Sequence, residues 1–377
     1  MKVLFLNGSR GEWGYIRPII DLCREQSIDY SICATNMLLL PAYGSLVDEL
    51  RRDGYNVSDE IHMSLEGHNH FTMAKSLGIF LTSFIDVLMR NRPDWIVLAG
   101  DRGEQLMGAV AATYTYTPVA HIQAGERSGN IDGVARHAIG KFVHLHFAAN
   151  DDAAERLRKL GEEEFRIHMV GAPQLDELVK GDVATSAELE DRYGISESEP
   201  FILAVQHPVT EEMEEASSQV EKLCAALSSF PVRKVWILPN NDAGSHAVRQ
   251  VLLQNRNRDT LVFENVTRRH YLGLLKNCQV IVGNSSSGLL EAPTFKTPAV
   301  NIGRRQADRV QGTNVINADF EVESIKSAIE KATSPVFVNS MLNCVNPYGD
   351  GHSAKRIIEI LRRIKVDDKL LIKRLTY

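Results

Sequence analysis

Short apolar runs alternate with longer amphipathic segments along the first half of the chain. The four clearest runs span residues 3–6, 95–99, 119–122 and 145–148. Runs of this length that are apolar throughout are typical of strands buried on both faces, and the amphipathic segments between them favour βαβ units. The pattern therefore predicts an α/β domain with a parallel sheet.

The same pattern restarts after a polar, acidic stretch at residues 181–200. New strand candidates span residues 201–205, 235–238, 280–283 and 299–302. We place the boundary near residues 170–173, which gives an N-terminal domain over residues 1–172 and a C-terminal domain over residues 173–352. A final amphipathic helix follows a turn-rich break, and we expect it and the residues after it, about 353–377, to pack back on the first domain.

Chain length supports two domains, because 377 residues exceed what one hydrophobic core usually stabilises. With 44% hydrophobic and 24% charged residues, the composition is that of an ordinary folded protein. The net charge of -6 argues against nucleic acid and anionic membranes as partners, while it leaves room for a local anion pocket. We therefore expect any phosphate-bearing partner to be small.

The opening apolar run ends at Asn7, which makes it too short for a secretory signal peptide. No other stretch is expected to reach the length needed to span a membrane. The five cysteines are odd in number and scattered, and none forms a CxxC pair. This usage is typical of reduced thiols, so the sequence predicts a cytoplasmic protein without a disulfide or a structural zinc site.

The first candidate motif, Asn7-Gly8-Ser9-Arg10-Gly11-Glu12, follows the opening strand. It precedes a helix that we expect to hold Pro18 in its first turns. Glycines let backbone N–H groups approach a phosphate, and a helix start favours negative charge. The motif lacks both GxGxxG and the Walker lysine. Arg10 is a candidate phosphate ligand, with a surface salt bridge as the alternative.

Two further motifs follow central strands of the first half. Gly100-Asp101-Arg102-Gly103-Glu104 ends the strand at 95–99, where open α/β sheets bind ligands. We interpret Asp101 as a functional acid, and Glu104 as either functional or a helix cap. The next strand is followed by HIQAGERSGNID, whose dense polar groups are poor core material. Arg136 follows on a helix, where it can orient the carboxylates of this motif.

Polar motifs also end two strands of the second half. His207 follows the strand at 201–205, where an imidazole can bind a diphosphate or titrate near neutral pH. From Gly283 to Glu291 the chain reads GNSSSGLLE, and its hydroxyls and helix-start N–H groups predict an anion cradle. Glu291 is placed to accept ribose hydroxyls, and Arg305 follows a later strand. A capped helix explains one serine but not three; the cradle candidates are Ser285, Ser286, Ser287 and Gly288.

Taken together, the motifs resemble those of the hydrolysing UDP-N-acetylglucosamine 2-epimerases used in sialic-acid and related nonulosonic-acid synthesis. The similarity spans nearly the whole chain, in order, through GSRGEWG, GDRGE, HIQAGERSGNID with RHAI, LAVQHPVT, PNNDAGS, VGNSSSG, VNIGRRQ and YGDG. The resemblance implies the GT-B fold, in which two Rossmann-like domains face each other across a cleft and the nucleotide sits mainly on the second. It also implies a homo-oligomer, either a dimer or a tetramer.

The resemblance assigns roles residue by residue. Arg10, Arg102 and His207 would contact the diphosphate, Ser285 and Ser286 the phosphates, and Glu291 the ribose, with Arg305 near the nucleotide. The implied reaction removes the C2 proton of a nucleotide-linked 2-acetamido sugar as the nucleotide diphosphate departs, and then adds water to the resulting glycal. The product is a free sugar inverted at C2, and neither a metal nor a cofactor is implied.

Asp101 and Asp132 match the acidic positions of the family and are the leading acid/base candidates. Gln123 stands where the family usually carries a catalytic glutamate, and an amide cannot act as a general acid or base. Either Glu126 or Asp132 takes over that role, or the chemistry is altered. A non-hydrolysing epimerase, a GT-B glycosyltransferase and a non-catalytic nucleotide-sugar-binding protein are the alternatives, and the sugar and the base stay open.

Overall fold

The computed structural model describes residues 1–41, 46–65, 70–127, 131–239, 244–264 and 266–377, with the backbone alone for residues 70, 131, 132, 210 and 211. The described residues form two compact units. The first comprises Met1–Arg127, Ile131–Asp176 and Tyr348–Tyr377, and the second comprises Glu177–Pro347. Each unit is built on a parallel sheet, as the hydrophobic pattern predicts.

Strands and helices alternate through the first unit. In chain order they are β1 (Lys2–Asn7), α1 (Arg10–Glu25), β2 (Asp29–Thr35), α2 (Leu46–Arg52), β3 (Val57–Ile61), α3 (His70–Asn91), β4 (Trp95–Ala99), α4 (Gly103–Tyr114), β5 (Val119–Ile122), α5 (Ile131–Phe142), β6 (Leu145–Ala148), α6 (Asp151–Lys159) and β7 (Ile167–Met169). The described strands pair in the order β3-β2-β1-β4-β5-β6-β7, and each pairing is parallel. The strand order therefore reverses between β1 and β4.

Helices cover both faces of this sheet, which explains why its central strands are apolar throughout. Successive side chains of β1 point to opposite faces. Val3 and Phe5 join the cluster that includes α1, whereas Leu4 and Leu6 join the cluster that includes Phe80 of α3. β1, β4 and β5 consequently lie at the centre of the unit, with their carboxyl ends at one edge of the sheet.

The second unit repeats the arrangement with six described strands. Its elements are α7 (Asp176–Lys180), whose first residue belongs to the first unit, and then α8 (Ser186–Tyr193), β8 (Phe201–Val205), α9 (Ala216–Ser228), β9 (Arg233–Ile237), α10 (Ser245–Gln254), β10 (Thr260–Phe263), α11 (Arg268–Asn277), β11 (Val280–Gly283), α12 (Ser287–Leu290), α13 (Ala292–Phe295), β12 (Ala299–Ile302), β13 (Val315–Ala318), α14 (Val322–Thr333) and α15 (Pro335–Ser340). The parallel strands pair in the order β10-β9-β8-β11-β12-β13, so the reversal falls between β8 and β11.

The chain ends with α16 (Ser353–Arg363) and α17 (Asp368–Leu371), which belong to the first unit. Asp176 caps α16, because its carboxylate accepts hydrogen bonds from the backbone N–H groups of Ser353 at 2.9 Å and Ala354 at 2.8 Å. The fully buried Arg166 donates to the Leu370 carbonyl at 2.6 Å. Apolar residues of α16 join the cluster around α1, so the last helices complete the first core.

The predicted position of Pro18 in the first helix is wrong. α1 begins at Arg10, about two turns earlier, so Pro18 lies inside the helix and removes one of its hydrogen bonds. The start is set by Ser9, whose side chain accepts a hydrogen bond from the Glu12 N–H at 3.3 Å. A serine followed three residues later by a glutamate is itself a helix-start signal.

The expectation that no further stretch approaches membrane-spanning length is also wrong, because α3 has 22 residues. An 18-residue window within Phe71–Asn91 has a mean hydropathy of 1.4, and 28% of that window is buried. One side of α3 packs in the first core, where Phe80 stacks on Phe84 at 5.2 Å between ring centroids. The other side leaves apolar side chains exposed: Phe71, Ile79, Ile85 and Met89.

Candidate active site

Each sheet ends in polar sequence at the point where its strand order reverses. In the first unit these ends are residues 7–12 after β1 and residues 100–104 after β4, and in the second they are residues 206–207 after β8 and 283–291 after β11. Ligands of open α/β sheets bind outside the carboxyl ends of the strands at such reversals. The four predicted motifs therefore lie at the two positions where this fold class binds ligands.

A carboxylate from the first turn of α1 holds the loop after β1 in place. Glu12 is buried, and its Oε2 accepts a hydrogen bond from the Gly8 N–H at 2.6 Å. Burial raises the pKa of Glu12 well above its ordinary value, and the nearby Glu104 carboxylate adds to the rise. Arg10 lies in the exposed first turn of α1, with Nη2 3.9 Å from Oε1 of Glu49.

Glu104 pairs with the neighbouring arginine. Its Oε1 accepts hydrogen bonds from Arg102 Nε at 3.2 Å and from Asn36 Nδ2 at 3.0 Å. The interpretation of Glu104 as a helix cap is wrong, because Arg102 occupies the N-cap of α4 and makes no side-chain cap. A Cβ added to Gly8 would lie 2.3 Å from Oε1 of Glu104, so any larger residue at position 8 would displace this carboxylate. Arg102 is thereby oriented at the end of β4.

Asp101 is fixed by a buried guanidinium. Arg136, on α5, donates from Nη2 to Oδ2 of Asp101 and from Nη1 to the Gln123 carbonyl at 2.8 Å. The Arg136 side chain is only 2% exposed, whereas that of Asp101 is 19% exposed. One arginine therefore connects the turn after β4 with the turn after β5 and orients a carboxylate that solvent can reach.

The turn after β5 is strained and buried. Gln123 has a φ of 58°, a left-handed conformation that costs a residue with a side chain about 1–3 kcal/mol. His121 lies within hydrogen-bonding distance of the turn after β4, with Nε2 2.6 Å from the Gly100 carbonyl. Burial lowers the pKa of His121 to about 3, so the ring is neutral and Nε2–H donates. Glu126 is also buried, and its Oε1 accepts from Asn150 Nδ2 at 2.8 Å.

Asp132 belongs to the first turn of α5, but its side chain lies outside the described residues, as do residues 128–130 of the same motif. Part of the PNNDAGS segment, residues 240–243, also lies outside them. The acid/base role of Asp132 therefore stays a prediction. The backbone of α5 nevertheless carries both Asp132 and Arg136, whose side chain reaches Asp101.

In the second unit, a fully buried amide ties the two central strand ends together. Asn284 Oδ1 accepts from the His207 N–H at 2.8 Å, and its Nδ2 donates to the His207 carbonyl at 2.7 Å. Arg305 donates from Nη1 to the Asn284 carbonyl at 3.2 Å. His207, Asn284 and Arg305 therefore lie together where the strand order reverses. Asn284 is not among the residues predicted from sequence, although it directly precedes the serines.

The serine segment forms a tight hydroxyl-rich loop. Ser285 Oγ accepts from the Ser287 N–H at 3.3 Å and lies 3.2 Å from Ser287 Oγ. Ser286 occupies the N-cap of α12, a helix of four residues. Gly288 has a packing role, because a Cβ there would lie 3.2 Å from Cβ of Ala299 in β12. The four candidates thus lie in one loop and the first turn after it.

Glu291, between α12 and α13, is 5% exposed. Its Oε1 accepts from Arg268 Nη2 at 3.0 Å, and Arg268 Nε lies 3.3 Å from Oε2 of Glu177. Among the described residues, Oε2 of Glu291 has no hydrogen-bond partner. Arg268 is not among the residues predicted from sequence, although two adjacent arginines in the first turn of a helix oppose the helix dipole and are a recognisable signal.

Comparison with known proteins assigns the family. The family model for UDP-N-acetylglucosamine 2-epimerase matches residues 21–362. The chain is 34% identical to a hydrolysing UDP-N,N'-diacetylbacillosamine 2-epimerase of Legionella pneumophila, over 99% of this chain and 98% of that protein. It is 30% identical to a UDP-N-acetylglucosamine 2-epimerase of Neisseria meningitidis, over 88% of each. The chain belongs to the UDP-N-acetylglucosamine 2-epimerase family.

A solved structure of this family gives the fold. The crystal structure of Neisseria meningitidis UDP-GlcNAc 2-epimerase bound to UDP-GlcNAc superposes with a TM-score of 0.84 at 21% identity, over 97% of this chain and 100% of that one. The two parallel-sheet units thus represent the GT-B fold of these epimerases. The predicted fold class and family resemblance are both confirmed. The roles of individual residues, and the absence of a metal or cofactor, stay predictions.

Proposed function

We propose that this member of the epimerase family is a hydrolysing 2-epimerase of a nucleotide-linked 2-acetamido sugar. Candidate substrates are UDP-N-acetylglucosamine and UDP- or GDP-linked N,N'-diacetylbacillosamine. The observation that carries the proposal is the solvent-reachable Asp101 at the end of β4, held by the buried Arg136. The 34% identity to a hydrolysing relative supports it.

In the proposed reaction, a carboxylate of the first unit removes the C2 proton while the C1–O bond to the nucleotide diphosphate breaks. A C1–C2 double bond forms, and the bonding electrons of C1–O leave with the diphosphate. Water then adds its oxygen to C1, and a proton returns to C2 from the opposite face. Asp101 is our candidate for one of the two proton transfers, because its carboxylate is oriented and accessible.

The second proton transfer needs another group, since the Gln123 amide cannot perform it. Glu126 and Asp132 are the candidates. We favour Asp132, because Glu126 is 5% exposed and its Oε1 accepts a hydrogen bond from Asn150. On this assignment, Gln123 contributes its backbone carbonyl to Arg136 and holds the turn after β5.

Nucleotide recognition is assigned to the second unit. We propose that the loop of Ser285, Ser286 and Ser287 binds phosphate oxygens, with His207 and Arg305 beside it, and that Glu291 accepts a ribose hydroxyl. The support is the position of His207 and Arg305 around Asn284, and the Oε2 of Glu291, which has no partner within the described parts of the chain. Arg10 and Arg102 would add positive charge near the diphosphate as it departs.

Mass spectrometry of products from UDP-N-acetylglucosamine and the two diacetylbacillosamine nucleotides tests the proposal. We expect a free sugar inverted at C2 together with the nucleotide diphosphate. A product that keeps its nucleotide would identify a non-hydrolysing epimerase, and transfer to an added acceptor would identify a glycosyltransferase. Unchanged substrate after long incubation, despite tight binding, would identify a non-catalytic binding protein. This is the alternative suggested by Gln123 at the position of the family's catalytic glutamate.

We also propose a cytoplasmic homo-oligomer. All five cysteines are free, which fits a reducing compartment. The exposed side of α3, with Ile79 and Ile85, offers an apolar surface to a second copy. Lys75 and Asp86 lie about three turns apart on this helix, so in an antiparallel pair each would face the opposite charge of the partner copy.

Light scattering coupled to size-exclusion chromatography tests the α3 surface. We expect the wild type to be a dimer or larger and Ile85→Glu to be monomeric, because a buried glutamate would lack a partner. Val336→Glu is the matched control, since Val336 is 82% exposed and lies on the second unit. A monomeric wild type, or an oligomeric Ile85→Glu, would refute this surface.

A further inference from the structure

The Glu291 carboxylate is half satisfied. Oε1 accepts a hydrogen bond from Arg268, whereas Oε2 is buried and has no partner among the described residues. Leaving a buried acceptor unpaired is unfavourable by about 1–3 kcal/mol, and more when the group is charged. An unpaired oxygen on a side chain that is only 7% exposed, at the strand reversal of a nucleotide-binding fold, indicates that a ligand hydroxyl completes it.

Arg268 occupies a position that is electrostatically unfavourable by itself. It is the first residue of α11, where the helix dipole repels positive charge, and Thr267 provides no side-chain cap. Two carboxylates with side chains only 7% exposed, Glu177 and Glu291, lie 3.3 Å and 3.0 Å from its guanidinium. Arg268 therefore fixes the rotamer of Glu291 through a charge-assisted bond to one oxygen only.

We propose that Arg268 is a positioning residue for ribose recognition. It holds Oε1 of Glu291 so that Oε2 meets the ribose diol of the substrate nucleotide, and the enzyme thereby prefers ribonucleotides over nucleotides that lack these hydroxyls. The inference rests on the proposed function, because Glu291 binds ribose only if the second unit binds the nucleotide. Glu177 supplies the second carboxylate that keeps Arg268 in place.

A second side chain of α11 supports this assignment. Tyr271 lies one turn after Arg268, and its buried hydroxyl has no hydrogen-bond partner among the described residues. Burial, with a contribution from the Glu291 carboxylate, raises the pKa of Tyr271 to about 12, so the phenol stays protonated and can donate. The first turns of α11 therefore carry two donors, Arg268 and Tyr271, whose electrostatics are coupled to the Glu291 carboxylate.

Isothermal titration of UDP and 2',3'-dideoxy-UDP tests the proposal in the full-length protein. The variants are Arg268→Gln, Arg268→Lys and the matched control Arg269→Gln. Arg269 is the next residue, but its guanidinium pairs with Glu188 at 2.8 Å and with Asp182 at 3.2 Å, away from Glu291. The readout is the ratio of the dideoxy Kd to the UDP Kd, which a general loss of stability does not change.

We expect the wild type and Arg269→Gln to prefer UDP by about 10- to 100-fold, the range for a hydrogen bond to a charged group. In Arg268→Gln the preference should fall to within about 3-fold of unity, and Arg268→Lys should restore part of it. In turnover assays, KM should rise while kcat changes little, because no proton moves at the ribose. If Arg268→Gln does not fold, the test rests on Arg268→Lys, for which we expect a ratio of the two Kd values between that of the wild type and unity.

An unchanged ratio in the Arg268 variants would overturn the inference, as would a wild type that binds both nucleotides equally. In either case the proposed function survives if the wild type still releases a free 2-inverted sugar. If UDP does not bind, GDP and its dideoxy analogue are used in the same way. Failure of both nucleotides to bind the wild type would instead overturn the proposed function and, with it, this inference.

Discussion

The carboxyl ends of the two sheets occupy the same topological position but carry different chemistry. In the first unit, charged groups fix one another: Arg136 binds Asp101 and the Gln123 carbonyl, and Glu104 binds Arg102. In the second unit, hydroxyls and the Asn284 amide form the loop, and one oxygen of Glu291 has no partner in the part of the chain that the structure describes. Fixed charges suit proton transfer, whereas unsatisfied acceptors and hydroxyls suit binding, so we infer that the first unit reacts and the second binds.

Replacing Asp101 should have the largest effect on activity. Asp101→Asn keeps the size of the side chain but removes its acid/base function, so we expect kcat to fall by about 10²- to 10⁴-fold. The Kd for UDP should stay within about 3-fold of the wild-type value, because binding is assigned to the second unit. Initial rates of nucleotide release and titration calorimetry measure the two quantities.

Asp152→Asn is the matched control, because Asp152 pairs with Arg156 on the surface helix α6 and should leave both quantities unchanged. Glu291→Gln is the converse experiment, for which we expect weaker UDP binding with a nearly unchanged kcat. If Asp101→Asn weakened UDP binding as strongly as it slowed turnover, the division between a reacting and a binding unit would be wrong.

Replacing Arg136 should have a smaller but clear effect. Lysine keeps the charge, yet it cannot bridge Asp101 and the Gln123 carbonyl with a planar fork. We expect Arg136→Lys to lower kcat by about 10- to 100-fold with little change in KM, and to lower stability by about 1–3 kcal/mol. Steady-state kinetics and thermal melting measure this. Wild-type kcat in Arg136→Lys would contradict a positioning role.

Acid should destabilise the first unit before the second. Burial lowers the pKa of His121 to about 3 and the pKa values of His144 and His146 to about 4. Because these histidines bind protons more readily when unfolded, the stability they provide is complete above about pH 6.5 and is lost as pH falls toward 4. We expect the loss to be about 2–4 kcal/mol for each of these histidines.

Tryptophan fluorescence of Trp236→Phe follows this transition, since Trp13 and Trp95 remain in the first unit. His144→Gln should move the acid midpoint to lower pH, whereas His246→Gln, on the second unit, should not. The expected order of unfolding is refuted if the two histidine variants behave alike.

The central strands and the site motifs were predictable from sequence, whereas the edge strands were not. β1, β4, β5 and β6 are apolar runs because both faces are covered, but β3 reads VSDEI at the sheet edge and gives no such signal. The motifs were found because ligands of this fold class bind at the carboxyl ends of strands, and those ends can be located in the sequence. The ion pairs between site residues were not predicted, because Asp101 and Arg136 lie 35 residues apart in the chain and Glu291 and Arg268 lie 23 apart. Only tertiary packing brings these charges together.

Changing Gln123 to glutamate should have the smallest effect. The backbone carbonyl of residue 123 makes the contact with Arg136. The whole Gln123 residue is only 3% exposed. If Asp132 performs the second proton transfer, Gln123→Glu should change kcat by less than about 3-fold. A large gain in kcat would show that the wild type lacks a catalytic group at this position, and would favour the non-catalytic binding protein.

Isotope labelling of the reaction tests the central claim most directly. In D₂O containing H₂¹⁸O, we expect a free 2-inverted sugar with one deuterium at C2 and a nucleotide diphosphate without ¹⁸O, because the C1–O bond breaks and water attacks carbon. A sugar without deuterium at C2, or ¹⁸O in the released diphosphate, would contradict elimination through a glycal. A deuterated product that keeps its nucleotide would contradict the hydrolysing step.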